Sequence, residues 1–410
     1  MFRFIYSIFI YIYSAGISIA SIFYDKAKLL HSGRKKTWLI LQQQSVNKEI
    51  IWFHCASLGE YEQGKPLIQL MRHQNPRYTF LITFFSPSGY EIKKNDADID
   101  IAAYLPSDTL SNAKKFVKIT RPKAVFFVKY EFWFNYMKVL TDNKIPFYYL
   151  SAIFRPSQYF FKPYGYWFAQ QLKNCTHFFV QNQTSQNLLQ SIGIKHVTIT
   201  GDTRFDRVHT IAKENKILDF MECFKANTSL IVAGSTWPPD ETVLAQSFSY
   251  INGSYKLVIA PHVIDKEHIE NIKKLFKDQK VICYSEMADH DLAQYNVLII
   301  DTIGLLSKVY KYANLAYIGG AFETGLHNIL EAAVFGIPLF FGPKYDHFNE
   351  AIELVNRKGA FSIRSSNELL NVISQFADSP DYYQKVCQIS ATYVQENLGA
   401  CQRIIDVVTI

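Results

Sequence analysis

The chain has 410 residues, of which 49% are hydrophobic and 15% aromatic, and its formal net charge at pH 7 is +7. This length exceeds one ordinary hydrophobic core and predicts two domains of roughly 150–200 residues each. The six cysteines form no CxxC pair, which argues against a disulfide framework or a zinc site and favours reduced thiols. The basic charge is concentrated near the N-terminus instead of spread over a folded face, so we expect no nucleic-acid partner.

The N-terminal region combines an uncharged segment with a basic one. Residues 4–24 carry no charge over 21 positions, enough to cross a bilayer. Residues 1–48 hold seven Lys or Arg against one Asp. One side of the predicted helix carries Ser7, Ser14, Ser18 and Ser21. This stripe fits either a spanning helix with a packing face or a helix lying in the interface. We predict a membrane anchor with a basic collar over residues 1–36, followed by a cytoplasmic domain.

Short apolar runs alternate with amphipathic stretches through the rest of the chain. The predicted strands are Ile50–His54, Tyr78–Phe84, Ala124–Val128, Phe147–Leu150, Phe178–Val180, Val197–Thr200, Leu230–Ala233, Lys256–Ala260, Lys280–Tyr284, Asn296–Ile300, Leu315–Ile318 and Pro338–Phe341. Between the two halves of this series lies Asp206–Thr228, a polar and helical stretch that predicts the domain boundary. The fold class is therefore α/β, with two doubly wound, Rossmann-like domains (37–205 and 206–410) facing a cleft at the carboxyl ends of their strands.

Glu60 follows the first predicted strand, inside two overlapping motifs. Gly59 to Lys65 spell GxxxxGK, but Pro66 replaces the magnesium-binding Ser or Thr, and the acidic residues within the motif would repel phosphate, so a P-loop is disfavoured. Ser57-x-x-Glu60 is also a capping box. A carboxylate at the carboxyl end of a strand could instead serve as a general base, and both readings stay open.

Three further stretches carry candidate chemistry. Asp96-Ala-Asp98-Ile-Asp100 contains two DxD triplets, but it lies in a charged stretch that favours a solvated loop over a metal site. Glu131 follows another apolar strand, among aromatics that could pack on a sugar or fill the core. Arg204 lies beside the domain boundary, where it could bind a phosphate or carboxylate, or form a surface ion pair.

The segment Gly319–Pro343 is the most informative part of the second half. It reads as a strand, a glycine turn and a helix beginning near His327-Asn328, with Glu331 one turn into that helix. A glycine turn before a helix N-terminus is an anion site, and a carboxylate there can accept hydrogen bonds from a ribose. The segment therefore indicates a sugar nucleotide, with an ordinary strand–loop–helix corner as the alternative.

These residues occur within a series of motifs that resembles one known family. The motifs are ASLGE at 56–60, EFWFN at 131–135, GDTRFD at 201–206, AGSTWPPDE at 233–241, APH at 260–262, DTIG at 301–304 and GLHNILEAA at 325–333. Together they resemble the Kdo (3-deoxy-D-manno-octulosonic acid) transferases of lipopolysaccharide biosynthesis, glycosyltransferases with the GT-B fold. The chain departs from the usual family pattern at His262-Val263, at Phe134 and at Leu326, and Arg204 replaces a lysine.

The resemblance implies a reaction and roles for named residues. Kdo would pass from CMP-Kdo to the tetraacyl disaccharide precursor of lipid A (lipid IVA), with inversion and without a metal or other cofactor, at the cytoplasmic side of the inner membrane. Glu60 would be the general base, and Glu131 and Arg204 would stabilise the transition state. The residues expected to contact CMP are Pro261, His262, Ile303, Gly304, Leu305, Asn328, Ile329, Leu330 and Glu331. Inner-membrane lipids would be further partners. The alternatives are a GT-B enzyme that uses another nucleotide sugar and a membrane-tethered protein that only binds its ligand.

Overall fold

The buried apolar runs of the sequence form two parallel sheets, each in its own structural unit. The computed structural model describes residues 2–214 and 217–410. The first unit comprises residues 1–207 and 398–410, and the second comprises residues 208–397. The border between the units follows residue 207, within helix α9. It therefore lies at the start of the polar stretch Asp206–Thr228. Residues 215–216 of that stretch, and Met1 of the predicted anchor, lie outside the described residues.

In the described part of the first unit, seven strands form one parallel sheet in the order β3-β2-β1-β4-β5-β6-β7. They are β1 (Ile50–Cys55), β2 (Thr79–Phe84), β3 (Ile101–Tyr104), β4 (Ala124–Val128), β5 (Phe147–Ala152), β6 (His177–Val180) and β7 (Val197–Ile199). The helices of this unit are α1 (Phe2–Ala20), α2 (Asp25–Gln44), α3 (Leu58–Gln74), α4 (Pro87–Lys93), α5 (Leu110–Thr120), α6 (Phe134–Asp142), α7 (Tyr166–Leu172), α8 (Gln183–Ser191), the first part of α9 (Thr203–Lys213), and α18 (Ala400–Ile405). Strand β1 is central because it pairs with both β2 and β4, and its six residues are all buried.

In the described part of the second unit, seven strands again form one parallel sheet, in the order β10-β11-β9-β8-β12-β13-β14. They are β8 (Ser229–Thr236), β9 (Tyr255–Pro261), β10 (Val281–Cys283), β11 (Val297–Ile299), β12 (Leu315–Ile318), β13 (Leu339–Phe341) and β14 (Ala360–Ser362). Its helices are the rest of α9, then α10 (Asp219–Lys225), α11 (Pro238–Ile251), α12 (Lys266–Leu275), α13 (Leu306–Val309), α14 (Leu330–Ala333), α15 (Asn349–Arg357), α16 (Ser366–Asp378) and α17 (Pro380–Glu396). Short 3₁₀ turns lie at Tyr159–Phe161, Pro163–Gly165, Tyr284–Glu286, Leu292–Gln294 and Tyr310–Tyr312.

The predicted α/β class with two doubly wound sheets is confirmed. In each sheet the strand order reverses beside the first strand of the unit, between β1 and β4 in one and between β8 and β12 in the other. The carboxyl ends of the strands on either side of such a reversal form a crevice, which is where ligands bind to open α/β sheets. These two switch points therefore mark where each unit can hold a ligand.

The C-terminal residues lie with the first unit, although the prediction assigned the second domain through residue 410. Asp206 accepts hydrogen bonds from the backbone N–H groups of Gly399 (2.6 Å) and Cys401 (2.7 Å). Arg403 donates to the carbonyl of Thr200, with 2.7 Å between Nη2 and the oxygen. These contacts hold α18 on the first unit, which a local sequence pattern does not reveal.

The N-terminal helix α1 packs along the first unit through the side that carries the serines. Tyr6 donates to the carboxylate of Asp108 at 2.6 Å, Ile10 is buried, and the ring of Tyr13 stacks on Phe85. The opposite side exposes Phe4, Ile5, Ile8, Phe9, Tyr11, Ile12 and Ile19. By length and composition α1 could cross a membrane, the one such helix within the described residues. Helix α2 runs to Gln44, so the predicted anchor border at residue 36 falls inside a helix that packs on β3.

Candidate active site

Glu60 lies in the first turn of α3, at the switch point of the first sheet. Strand β1 ends at Cys55, and Ser57 begins the helix by accepting a hydrogen bond from the Glu60 N–H at 3.4 Å. The Glu60 carboxylate accepts a hydrogen bond from the N–H of Ala56. The stretch Gly59–Lys65 lies entirely within α3, so it is not a phosphate-binding loop. The carboxylate therefore stabilises the strand-to-helix turn and lies at the carboxyl edge of the sheet.

The pKa of Glu60 is raised to about 7, first by burial and then by the negative charge of Glu131. The N–H of Ala56 and the charge of Lys129 act in the opposite direction. A carboxyl group with a pKa near neutrality can both accept and release a proton at physiological pH, which suits a general base. The capping and proton-transfer readings of Glu60 are thus compatible.

Glu131 follows β4, on the other side of the same switch point. Its carboxylate Oε2 lies 2.9 Å from the indole nitrogen of Trp133 and 3.2 Å from Nε2 of His54. His54 is fully buried on β1, and its Nδ1 lies 2.9 Å from the hydroxyl of Thr83. Trp52 donates to that same hydroxyl at 2.7 Å. Nδ1 also lies 3.1 Å from the carbonyl oxygen of Thr83. His54 therefore contacts β2 through Nδ1 and Glu131 through Nε2, which fixes the position of the carboxylate.

His54 is the residue of this network that the sequence analysis did not single out. The signal was weak, because a histidine at the end of an apolar strand usually only completes a core. The neighbouring aromatics of the EFWFN motif divide in role: Phe134 is buried in the core, whereas Trp133 is partly exposed and stacks on Phe85.

Arg204 lies at the start of α9 and is paired with Asp202. The Nε and Nη2 atoms of Arg204 lie 2.8 Å and 2.7 Å from Oδ2 of Asp202, and Gln63 donates to Oδ1 at 2.7 Å. Burial raises the pKa of Asp202, but the charge and hydrogen bonds of Arg204 outweigh it and hold the pKa below its usual value. Of the two possibilities for Arg204, the structure shows the ion pair, and its partner Asp202 lies in the same unit.

Tyr130, directly before Glu131, lies among the charged groups of this sheet edge. The pKa of Tyr130 is raised by burial and responds to the charges of Arg155, Asp202, Arg204 and Glu60. The backbone is also unusual here. Lys129 after β4 and Ser151 in β5 adopt left-handed conformations, with φ of 63° and 49°. Non-glycine residues in this region cost about 1–3 kcal/mol each and concentrate at functional sites.

The second unit brings its glycine turn to the switch point between β8 and β12. A Cβ atom on Gly319 would come within 2.3 Å of the carbonyl oxygen of Ser235, so only glycine fits there. Gly320 has φ of 93° and donates its N–H to Asp240 at 2.9 Å. Asp240 also accepts a hydrogen bond from the N–H of Trp237 at 3.0 Å. One buried carboxylate therefore joins the two loops that flank the crevice.

Three rings, which we call the ring cluster, stack beside this turn: Trp237, His262 and His327. The centroid of His262 lies 4.9 Å from that of Trp237 and 4.5 Å from that of His327. Trp237 donates to Nε2 of His327 at 3.1 Å. The pKa of His327 is lowered to about 4 by burial and by His262, so its ring is neutral at pH 7. Pro261 ends β9, and the exposed His262 that follows presents the cluster to solvent.

The other residues expected to contact CMP lie on two loops of the same sheet edge. The loop 303–305 after β11 is open, with Ile303 91% exposed and Gly304 at φ of 93°. Asn328 donates to Glu331 at 3.1 Å and accepts from the N–H of Leu330 at 3.2 Å, and both Ile329 and Leu330 are buried. The helix predicted near His327-Asn328 is present but begins two residues after Asn328: α14 starts at Leu330 and has four residues. The turn is held by Gly319 and Gly320 instead, so a helix dipole is not the source of any anion affinity here.

The three aspartates of the Asp96–Asp100 stretch form ion pairs within the first unit. Lys65 pairs with Asp96 at 2.8 Å and with Asp98 at 3.1 Å, and Arg72 pairs with Asp100 at 2.8 Å. Among the described residues no group of three His, Cys, Asp or Glu side chains is placed to hold a metal ion. The carboxylates of the DxD triplets thus have structural partners, and strand β3 begins directly after them.

Two parallel, doubly wound sheets, one in each unit, are the components of the GT-B fold. A solved UDP-GlcNAc 2-epimerase from Neisseria meningitidis, bound to UDP-GlcNAc, shares this fold with a TM-score of 0.62 and 17% identity, over 88% of this chain and 98% of that one. Residues 31–207 match the family model described as 3-deoxy-D-manno-octulosonic-acid transferase (kdotransferase).

Most of the chain is similar in sequence to Kdo transferases, which confirms the resemblance seen in the motifs. The 3-deoxy-D-manno-octulosonic acid transferase of Aquifex aeolicus is 26% identical over 334 residues, covering 80% of this chain and 86% of that protein. The transferase of the same name from Haemophilus influenzae is 24% identical over 368 residues, covering 87% and 86%. These similarities support a glycosyltransferase.

Proposed function

We propose that the protein transfers Kdo from CMP-Kdo to lipid IVA, with inversion and with Glu60 as general base. The observation that carries this proposal is the position of Glu60. In a relative of the Kdo transferases, a partly buried carboxyl group with a pKa raised to about 7 lies at the switch point of the first sheet.

In this reaction Glu60 removes the proton from a hydroxyl group of the acceptor sugar. The freed oxygen attacks the anomeric carbon of Kdo while the bond from that carbon to the CMP phosphate oxygen breaks, and CMP leaves with the negative charge. The anomeric carbon gains positive character as this bond breaks. A carboxylate such as Glu131, held in place by His54 and Trp133, can stabilise that charge. We assign Arg204, which pairs with Asp202 through Nε and Nη2, a share in offsetting the negative charge that develops on the leaving CMP.

For the donor, we propose that the ring cluster supports the cytosine base and that Glu331 binds the ribose. The planar faces of Trp237, His262 and His327 are stacked in parallel, a surface that suits an aromatic base. Glu331 is partly exposed beside the glycine turn. Because glycine has no side chain, CMP-Kdo can come close to the backbone of this turn.

The direct test is to incubate the purified protein with CMP-Kdo and lipid IVA and to determine the mass of the lipid product. The proposal predicts an increase of one or more Kdo units and release of CMP. A panel of UDP, GDP and CMP sugars offered in parallel separates this function from its alternatives. Transfer from another donor alone would identify a different glycosyltransferase, and binding without turnover would leave only a binding protein.

We propose further that the transfer is independent of metal ions. The DxD carboxylates are engaged by Lys65 and Arg72, and charge on the leaving CMP can be met by backbone N–H groups. We expect activity in EDTA to stay within about twofold of the untreated rate, and Asp96→Ala to have a similarly mild effect. Loss of activity in EDTA that magnesium or manganese restores would contradict this proposal.

For location, we propose that α1 lies in the membrane interface at the cytoplasmic side of the inner membrane, with its exposed apolar side toward the lipid. We expect the double substitution Ile8→Lys/Ile12→Lys to reduce the membrane-bound fraction at least about tenfold, because each buried isoleucine contributes about 1.5–3 kcal/mol. Both side chains are exposed in the folded protein, so the melting temperature should not change.

Tyr250→Lys/Leu275→Lys is the matched control, because it places the same charges on exposed apolar residues of the second unit. Sedimentation with membranes measures both variants. Equal retention of the α1 variant and the control on membranes would rule out this side of α1 as the attachment surface.

A further inference from the structure

A small cavity of about 170 Å³ lies between α1, α2 and the segment that links β3 to α5. Its polar lining comes from Ser14, Ser18, His31, Arg34, Lys35, Ser107 and Asn112. This volume is several times what one water molecule needs, which leaves room for one phosphate group. It belongs wholly to the first unit and involves none of the residues assigned above to the reaction.

Arg34 is the central residue of this cavity. It is half-buried, its Nε and Nη1 atoms donate to the carbonyl of Leu105 at 3.1 Å and the hydroxyl of Ser107 at 3.2 Å, and its guanidinium lies 5.0 Å above the ring of Phe85. These contacts hold the planar group in one orientation. Burial lowers the pKa of Arg34, and among the described residues no carboxylate forms an ion pair with it.

A half-buried guanidinium without an acidic partner is costly, because neither water nor an anion fully offsets its lost hydration. Lys35 and His31 line the same cavity from the same helix, and Ser18 lies 3.2 Å from Nδ1 of His31. Positive and neutral donors thus converge on one space. Planar guanidinium donors beside lysine are the groups that bind phosphate in proteins.

The surroundings identify what carries the phosphate. The cavity is walled on one side by α1, whose opposite side exposes a continuous row of Ile and Phe side chains. A helix with such a face rests on the boundary between lipid headgroups and acyl chains. An anion that enters the cavity beside α1 therefore comes from the depth at which phospholipid headgroups lie.

We propose that this cavity binds the phosphate group of a membrane lipid. Arg34 and Lys35 hold the phosphate oxygens, while the acyl chains run along the exposed side of α1. The proposal rests on the membrane location given above but not on the transfer reaction. In this proposal α1 and α2 form a specific site for one lipid headgroup, in addition to the general electrostatic attraction of basic residues to the membrane.

Binding of soluble dihexanoyl phosphatidic acid to the full-length protein in detergent-free buffer tests the proposal by calorimetry, without a bilayer. Lys35 and Lys36 form a matched pair, because both are exposed lysines of α2 and only Lys35 lines the cavity. We expect Lys35→Gln to weaken binding several-fold and Arg34→Gln to weaken it at least tenfold, while Lys36→Gln stays within twofold of the wild type.

Two competitors locate the source of the affinity. Dihexanoylglycerol, which has the same acyl chains without phosphate, should not displace the bound lipid, and inorganic phosphate should displace it only at much higher concentration. Equal losses in the Lys35 and Lys36 variants would reduce the effect to general surface charge and overturn the proposal. Inorganic phosphate binding as tightly as the lipid, or no binding of the lipid at all, would overturn it as well. A failed transfer assay would leave these outcomes unchanged.

Discussion

Replacing Glu60 with glutamine should lower the turnover number about 10²–10⁴-fold, the usual contribution of a positioned proton acceptor. Glutamine keeps the size of the side chain, and its carbonyl oxygen can still accept the hydrogen bond from Ala56 N–H. It cannot take up a proton at neutral pH. The melting temperature and the affinity for CMP-Kdo should therefore change little. If Glu60 only stabilised the helix start, the cost would be about 1 kcal/mol of stability or less, with normal turnover.

The pH dependence of turnover provides a second measurement of the same role. Only the deprotonated carboxylate can act as a base, and the pKa of Glu60 is raised to about 7 by burial and Glu131. The rate of the wild type should therefore fall about tenfold for each pH unit below about pH 7 and level off above it. The residual activity of Glu60→Gln should lack this acidic limb.

Glu62→Gln is the matched control, because it neutralises a nearby carboxylate of α3 that pairs instead with Lys93 and Arg207. We expect its turnover to stay within a few-fold of the wild type. A folded Glu60→Gln enzyme with the turnover of this control would remove Glu60 from the mechanism.

Periodicity located the central strands because they are long and apolar on both faces, as in β1 with its six buried residues. Of the four edge strands, β7 and β10 were predicted, whereas β3 and β14 were missed. Each has only three or four residues, and β3 begins directly after the acidic stretch that ends at Asp100. A strand of this kind is fixed by pairing with its neighbour, which a local pattern does not contain.

The candidate site was predictable where a residue lies within a few positions after the end of a strand. Glu60 and Glu131 lie at such positions, and parallel strands bring their carboxyl ends to one edge. The partners of these residues depend on contacts between strands. His54 contacts Thr83 on β2 and Glu131 after β4. The pairing of Arg204 with Asp202 depends on the side-chain conformation of Arg204, which the sequence does not determine. The start of α14 was misplaced by two residues because the loop before it is held by Gly319 against the end of β8 and by Gly320 against Gly325 and His327.

Asp108 is a residue whose importance the sequence did not indicate, since Ser107-Asp108-Thr109 reads as an ordinary helix start. Thr109 begins α5, which leaves the Asp108 side chain free for other partners. Its carboxylate is almost fully buried and accepts from the backbone N–H groups of Asn135 at 3.1 Å and Tyr136 at 2.9 Å. It therefore caps α6, the helix that follows Glu131, and it also accepts the hydroxyl of Tyr6 from α1.

Asp108→Ala should lower the free energy of unfolding by about 3–5 kcal/mol. The substitution leaves two buried N–H groups at the start of α6 without an acceptor, at about 1–3 kcal/mol each, and releases the hydroxyl of Tyr6 as well. Tyr6→Phe is the matched control because it removes only the last of these hydrogen bonds, and we expect a loss of about 1–2 kcal/mol. Urea denaturation followed by tryptophan fluorescence suits this comparison, since Trp38, Trp52, Trp133 and Trp167 all lie in the first unit. Equal losses in the two variants would mean that Asp108 serves only to attach α1 and that α6 does not depend on it.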